Sequence, residues 1–224
     1  MQRMKTYDVP HKGLRNALSQ LSLLAGKTNY SNPRETQELY QLGQHVFSLL
    51  NVHAADENEI TLAELEARCS KCSQHDIEDH EKLHQMQDKL EKLLSQIYNR
   101  SQTGRNVSED GAEFYLAFSE FQGTYLEHTA EEERVTQPLL WKFFTDEELA
   151  AHRGKIMAKN PPQTLLTWFR FVIPAQNHAE RISLLTGFKK MASESFFNEG
   201  LATIQKVLTP NDYDELETAL ALLP

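Results

Sequence analysis

The chain has 224 residues and a net charge of −9, which suits one large domain or a domain and a half and is too acidic for binding a nucleic-acid backbone or an anionic membrane surface. No stretch approaches the ~18 consecutive apolar residues of a membrane-spanning helix, and Met1-Gln2-Arg3-Met4-Lys5 leads into polar sequence instead of an apolar signal core, so a cytosolic protein is expected. Gly and Pro are sparse (9 and 8), Leu, Ala, Glu, Lys and Gln build the long stretches, and no alternating Val, Ile and Thr run marks a strand, so the fold class is all-α.

In chain order, the first helix is predicted over 9–27, with His11 at the head of the apolar stripe Leu14, Leu18 and Leu21. Asn32-Pro33 offers a cap followed by proline at the first helical position, opening a second helix over 33–66 whose inner face reads Val46, Leu49, Leu50, His53, Glu57 and Ile60. A third helix over 74–99 presents Ile77, His80, His84, Gln87, Leu90 and Leu94. A fourth, over 109–143, presents Phe121, Tyr125, His128, Glu132, Val135 and Leu139. Four long helices with short polar links predict an antiparallel four-helix bundle over residues 1–144. Thr145-Asp146-Glu147-Glu148 reads as a capping box, Asn160-Pro161-Pro162 as a break, and Thr209-Pro210 with Asp212 as another helix start. Residues 145–224 therefore form a helical extension. Its apolar run (Leu165, Leu166, Trp168, Phe169, Phe171, Val172) is expected to pack on the bundle or to form an interface, such as that of a homodimer.

The polar residues in these four inner faces need explaining. An ionised carboxylate costs several kcal/mol to bury unless a cation compensates it, and bound metal supplies that cation. Residues four apart share one helix face, so His53 with Glu57, His80 with His84, and His128 with Glu132 each address one turn of the core. Imidazole and carboxylate together suit iron, manganese or zinc. A lone His-x-x-x-Glu carries no weight in so acidic a chain: His75 with Asp79 and His84 with Asp88 have similar spacing. The ordered set carries the inference, one site per long helix, with the pair of helix two repeated on helix four. His45, His75, His152 and His178 are expected to be surface or hydrogen-bonded histidines, and Tyr125 to be core packing. Cys69-Ser-Lys-Cys72 lacks the second pair of a zinc knuckle and any βαβ context, which leaves thiol–disulfide sensing as its functional reading.

The ordered set resembles the hemerythrin-like (HHE cation-binding) domain family, which places a histidine on helix one, His-x-x-x-Glu on helix two, His-x-x-x-His on helix three and a histidine plus carboxylate on helix four. The stretch from His128 through Glu132 to Pro138-Leu139-Leu140 is similar to the family's recurrent His-x-x-x-Glu-Glu…Phe-Pro-Leu-Leu, and the resemblance covers about residues 7–144. It implies two non-haem iron ions with a bridging oxo or hydroxo group, held by His11, His53, Glu57, His80, His84, His128 and Glu132. It also implies O2 or another small diatomic or peroxide as ligand. In the oxygen carriers the helix-four carboxylate stands five residues after its histidine, which would select Glu133. Glu132 lies about 40° from His128 around the helix and Glu133 about 140°, favouring Glu132. Some members lack the second histidine of helix three. The residues after 144 resemble the helical tail of hemerythrin modules in eukaryotic iron-homeostasis ligases. Two cysteines cannot build the zinc-binding domain of such a ligase.

Three functions compete: a protein that binds or senses a small oxidant or iron itself, a di-iron oxidase or peroxidase, and a His-Asp metal-dependent phosphohydrolase. Ferritin-like oxidases use Glu-x-x-His on two helices, and here only Glu81 with His84 fits. His75-Asp76 supplies the phosphohydrolase dyad in letters, but at a helix start and outside the inner stripe.

Overall fold

Residues 3–222 are described by a computed structural model, all-helical with no strand among them. Among the described residues no helix is long and apolar enough to cross a membrane. Contacts divide the chain into two compact units. The first comprises the stretch ending at Asp8 together with Ala17–Lys159; the second comprises Val9–Asn16 and the chain from Asn160 onward.

The first unit is the bundle. It takes the C-terminal part of α1 (Asp8–Lys27), then α2 (Pro33–Asp56), which continues through a widened π-helical turn, Glu57–Leu62, into α3 (Ala63–Arg68). Next come α4 (Gln74–Ser101) and α5 (Ser108–Glu131), the latter running through a second π turn, Glu132–Thr136, into α6 (Gln137–Phe143); α7 (Asp146–Lys159) closes the unit. The expected punctuation is present. The Asn32 side chain accepts the Arg34 amide with Pro33 at the first helical position. At α7 the Thr145 amide donates to Glu148 Oε2 (2.9 Å) while the Glu148 amide donates to Thr145 Oγ1 (3.2 Å), the reciprocal bonds of a capping box.

Helix α4 packs against both α2 and α5. Its buried residues Leu83, Gln87, Leu90, Leu94 and Ile97 alternate three and four apart, the seam of a bundle helix. Facing them are Val46, Phe47 and Leu50 from α2 and Phe114, Phe118 and Phe121 from α5, all buried. Gly43 lets α2 approach α4 closely, since a methyl group there would collide with the Leu94 side chain. Lys155 and His152 of α7 both pair with Glu64, and Lys159 reaches Asp56 (3.1 Å) and Glu59 (2.8 Å), so α7 lies along the first π turn. By its contacts the first unit runs to Lys159.

The second unit joins the first turns of α1 to α8 (Pro162–Val172), a 3-10 turn at Ile173–Ala175, α9 (His178–Met191), α10 (Glu194–Gln205) and α11 (Pro210–Ala221). Lys12 pairs with Glu180 at 2.7 Å and Asn16 donates to the Phe171 carbonyl at 2.8 Å. Its core is mainly apolar: Phe169, Ile173, Leu185, Phe188, Ile204 and Leu216 are buried together with Tyr213, and Phe169 and Phe188 meet edge to face.

Candidate metal centre

The two rods that contain π turns carry the same series. His53, Glu57, Thr61 and Leu65 recur every four residues, and so do His128, Glu132, Thr136 and Leu140. On a regular α-helix a four-residue step drifts about 40° around the axis, so the last member would stand well away from the first. A π turn holds an extra residue and cancels that drift. All eight side chains are buried. This explains two departures from the expected inner faces: Val135 is exposed and Ile60 only partly buried, because the widened turns carry Thr136 and Leu140, and Thr61 and Leu65, inward instead.

The side chains converge. Glu57 Oε1 lies 3.1 Å from His53 Nε2 and its Oε2 3.3 Å from His80 Nε2. Glu132 Oε2 lies 3.4 Å from His128 Nε2 and its Oε1 3.7 Å from His80 Nε2. Donor atoms of His53, Glu57 and Glu132 fall within 4.8 Å of one another, as do those of His80, His128 and Glu132. Glu132 belongs to both groups. Glu133 is only partly buried and stands in neither.

Neighbouring residues fix the imidazoles. Asn58 Oδ1 lies 2.8 Å from His80 Nδ1, a contact that requires the hydrogen on Nδ1 and turns the Nε2 lone pair toward the carboxylates. Asp79 Oδ2 lies 3.5 Å from His128 Nδ1 and acts in the same sense. Burial, followed by the adjacent His80, pushes His128 down to about 4, so its ring is neutral at physiological pH. Burial also disfavours charge on His80, but the carboxylates of Glu57 and Glu132 outweigh it and raise that pKa. Asp76 is raised by burial although it accepts the Thr136 hydroxyl at 2.7 Å. Tyr7 is held well above the usual phenol value by burial and by the charges of Glu132, Glu57 and Asp76, so it stays a neutral hydroxyl beside them.

This donor set fits divalent metal ions. Inward-turned Nε2 atoms and two buried carboxylates, each facing imidazoles of two helices, are the hard-to-borderline ligands that iron or manganese takes. A cation at each group relieves the cost of burying the carboxylates.

Other expected residues are placed differently. His84 is exposed (side chain 62%), 3.9 Å from Asp88, and stands in neither group, which corrects its assignment to the inner face. The inward seam of α4 runs His80, Leu83, Gln87, Leu90, so the position four after His80 falls beside the seam. Ile77 is exposed for the same reason. Tyr125 is buried between Phe121 and His128. His152 is buried against Glu64, His45 is partly buried, and His75 and His178 are exposed. His11 is fully buried on α1, in the part of that helix counted with the second unit. Sequence reasoning missed Asn58, Asp76, Asp79 and Tyr7. Asn58 follows Glu57 directly and Asp79 precedes His80, an adjacency that could have flagged both; Asp76 is one turn before His80. Nothing in the sequence marks Tyr7.

The curated proteins most like this chain include F-box/LRR-repeat protein 5 from Mus musculus, 28% identical over 157 residues (70% of this chain, 22% of that protein), and from Pongo abelii, 27% identical over 179 residues (80% and 25%). The Salmo salar protein of the same name is 27% identical over 154 residues (69% and 21%). The chain thus spans only a fifth to a quarter of the length of these relatives. No solved structure matches it significantly. The family model described as the hemerythrin HHE cation-binding domain matches residues 4–140, and on that match the chain, a metal-binding helical protein, belongs to the hemerythrin HHE family.

Proposed function

We propose that the chain holds two non-haem iron ions and uses them to bind or sense a small oxidant of the O2 class. The observation that carries this reading is the bridging disposition of Glu57 and Glu132, whose oxygens each face imidazoles from two helices. The proposed ligands are His11, His53, Glu57, His80, His128 and Glu132. His11 is included for its full burial and its place within the family-matched stretch 4–140. Bound there, a ferrous pair supplies electrons to a small oxidant. Within the protein, Asn58 and Asp79 hold the rings of His80 and His128 in register. Tyr7 offers the buried face of the centre a neutral hydroxyl.

A second reading, sensing of iron supply itself, is favoured by the exposure of His84. With one imidazole fewer, an ion held by His80, His128 and Glu132 would be bound less tightly, so its occupancy would follow iron availability. Anaerobic reconstitution with ferrous iron, metal analysis and titration with O2 test both readings. Two irons per chain and an oxidant-dependent visible band are expected. Loss of one iron at limiting supply, with the band unchanged by O2, favours the second reading. A chain that folds in excess iron and retains none overturns both.

A further inference from the structure

The link between α3 and α4 holds a pair of reactive side chains that the metal centre does not use. Cys69 ends α3, its amide donating to the Leu65 carbonyl at 2.8 Å, and Cys72 directly precedes Ser73, the residue before α4. Their sulphurs are joined as a disulfide, with the Cα atoms 5.5 Å apart. Both are partly exposed and pack on the core formed by Tyr7, Leu65, Leu140, Phe144 and Leu149.

Two features distinguish this bridge from a structural staple. It closes a loop of only four residues, and the entropy removed from an unfolded chain by cross-linking rises with loop length, so the bridge adds little stability. The turn is also built by other bonds. The Cys72 amide donates to the Cys69 carbonyl at 3.0 Å, and Lys71 takes the left-handed conformation at φ 66°. The Glu66 carboxylate accepts the Lys71 amide at 2.6 Å and the Ser73 hydroxyl at 2.7 Å. Removal of the bridge therefore leaves two thiols side by side. A pair arranged for closure in both states suits reversible exchange.

We infer that Cys69-Ser70-Lys71-Cys72 is a thiol–disulfide exchange site for a disulfide of the glutathione class. In the oxidising direction the thiolate of one cysteine attacks a sulphur of oxidised glutathione. That S–S bond breaks and one reduced glutathione leaves. The second cysteine, as thiolate, attacks the protein sulphur of the mixed disulfide and expels the other glutathione. The protein dithiol gives up two electrons and two protons, and oxidised glutathione takes them to become two thiols. Exposed Lys71, between the cysteines, offers a cation to the anionic tripeptide.

The test uses the full chain equilibrated in mixtures of reduced and oxidised glutathione, quenched with acid, alkylated and weighed by mass spectrometry. Two free thiols in excess reduced glutathione, none in excess oxidised glutathione, and unchanged helical circular dichroism throughout are expected. Cys72→Ser and Cys69→Ser should each trap one glutathione on the remaining cysteine. A bridge that resists a large excess of reduced glutathione, thiols that resist oxidised glutathione, or loss of helix on reduction would each overturn the inference. Thiol counting does not depend on metal content, so the outcome is independent of the iron reading.

Discussion

The cores of the two units are built on opposite terms. In the second unit Phe169, Ile173, Leu185, Phe188, Ile204 and Leu216 meet in a cluster whose described buried members include no carboxylate or imidazole, the Tyr213 phenol being its polar group, and buried Arg181 donates to the Ile173 carbonyl at 3.0 Å and pairs with Asp212 at 3.2 Å. In the bundle the same kind of apolar layers are interrupted by His53, Glu57, His80, His128 and Glu132, all buried. The core of the second unit stabilises itself through apolar burial. The bundle core sets apolar burial against the desolvation of two carboxylates, a cost that bound cations would offset. Metal content and stability should therefore be separable in this molecule: substitutions in one core should change the bound metal, and substitutions in the other should change folding.

The largest expected effect falls on Glu132, which serves both donor groups. Glu132→Ala should remove most of the bound iron in metal analysis, and a fully loaded variant would break the contrast at its centre. Leu216→Ala, in the apolar core, should lower unfolding free energy by about 2–5 kcal/mol in denaturant titrations while iron per chain stays as in the parent. Asn58→Ala releases the His80 ring, and chelator competition should show iron affinity falling about 10–100-fold. Iron retention should also depend on pH. Ligation needs neutral His80, whose pKa lies above the ordinary imidazole value of 6.5, so affinity should weaken as pH falls through that raised pKa, with proton release on binding at lower pH. A flat profile through this range would count against His80 as ligand. His84→Ala should do least, within about 0.5 kcal/mol in stability and without loss of iron.

Much of the fold was legible in the sequence because its signals are local. Asn32-Pro33, the Thr145 capping box and Thr209-Pro210 mark helix starts through bonds made within one turn, and the structure shows those bonds. The inner faces of α2 and α5 were legible as far as the glutamates. Beyond them a 3.6-residue period brings Ile60 and Val135 inward, whereas the widened turns bring in Thr61 and Thr136. The signal was present: histidine, glutamate, threonine and leucine spaced by four, twice. His84 was misplaced because the seam of α4 alternates three and four, and a pair four apart cannot show which member lies at its edge. Asn58 and Asp79 stand next to ligands in sequence, but the imidazoles they hold belong to other helices, and neither that pairing nor the place of Tyr7 is encoded by spacing within one helix.

The surplus residue in each of the two rods makes the length of the chain, as much as its lettering, part of what builds the centre. Deleting a single residue from 58–60 or from 133–135 would leave every ligand in place and still rotate the remainder of its rod by about a quarter turn. Thr61 and Leu65, or Thr136 and Leu140, would then point away from the interior, and the Thr136 hydroxyl would lose its hold on Asp76. Variants of this protein that differ by one-residue gaps at these two places should therefore be read as changes of facing, with consequences for the whole downstream rod, and not as the tolerated trimming of a loop.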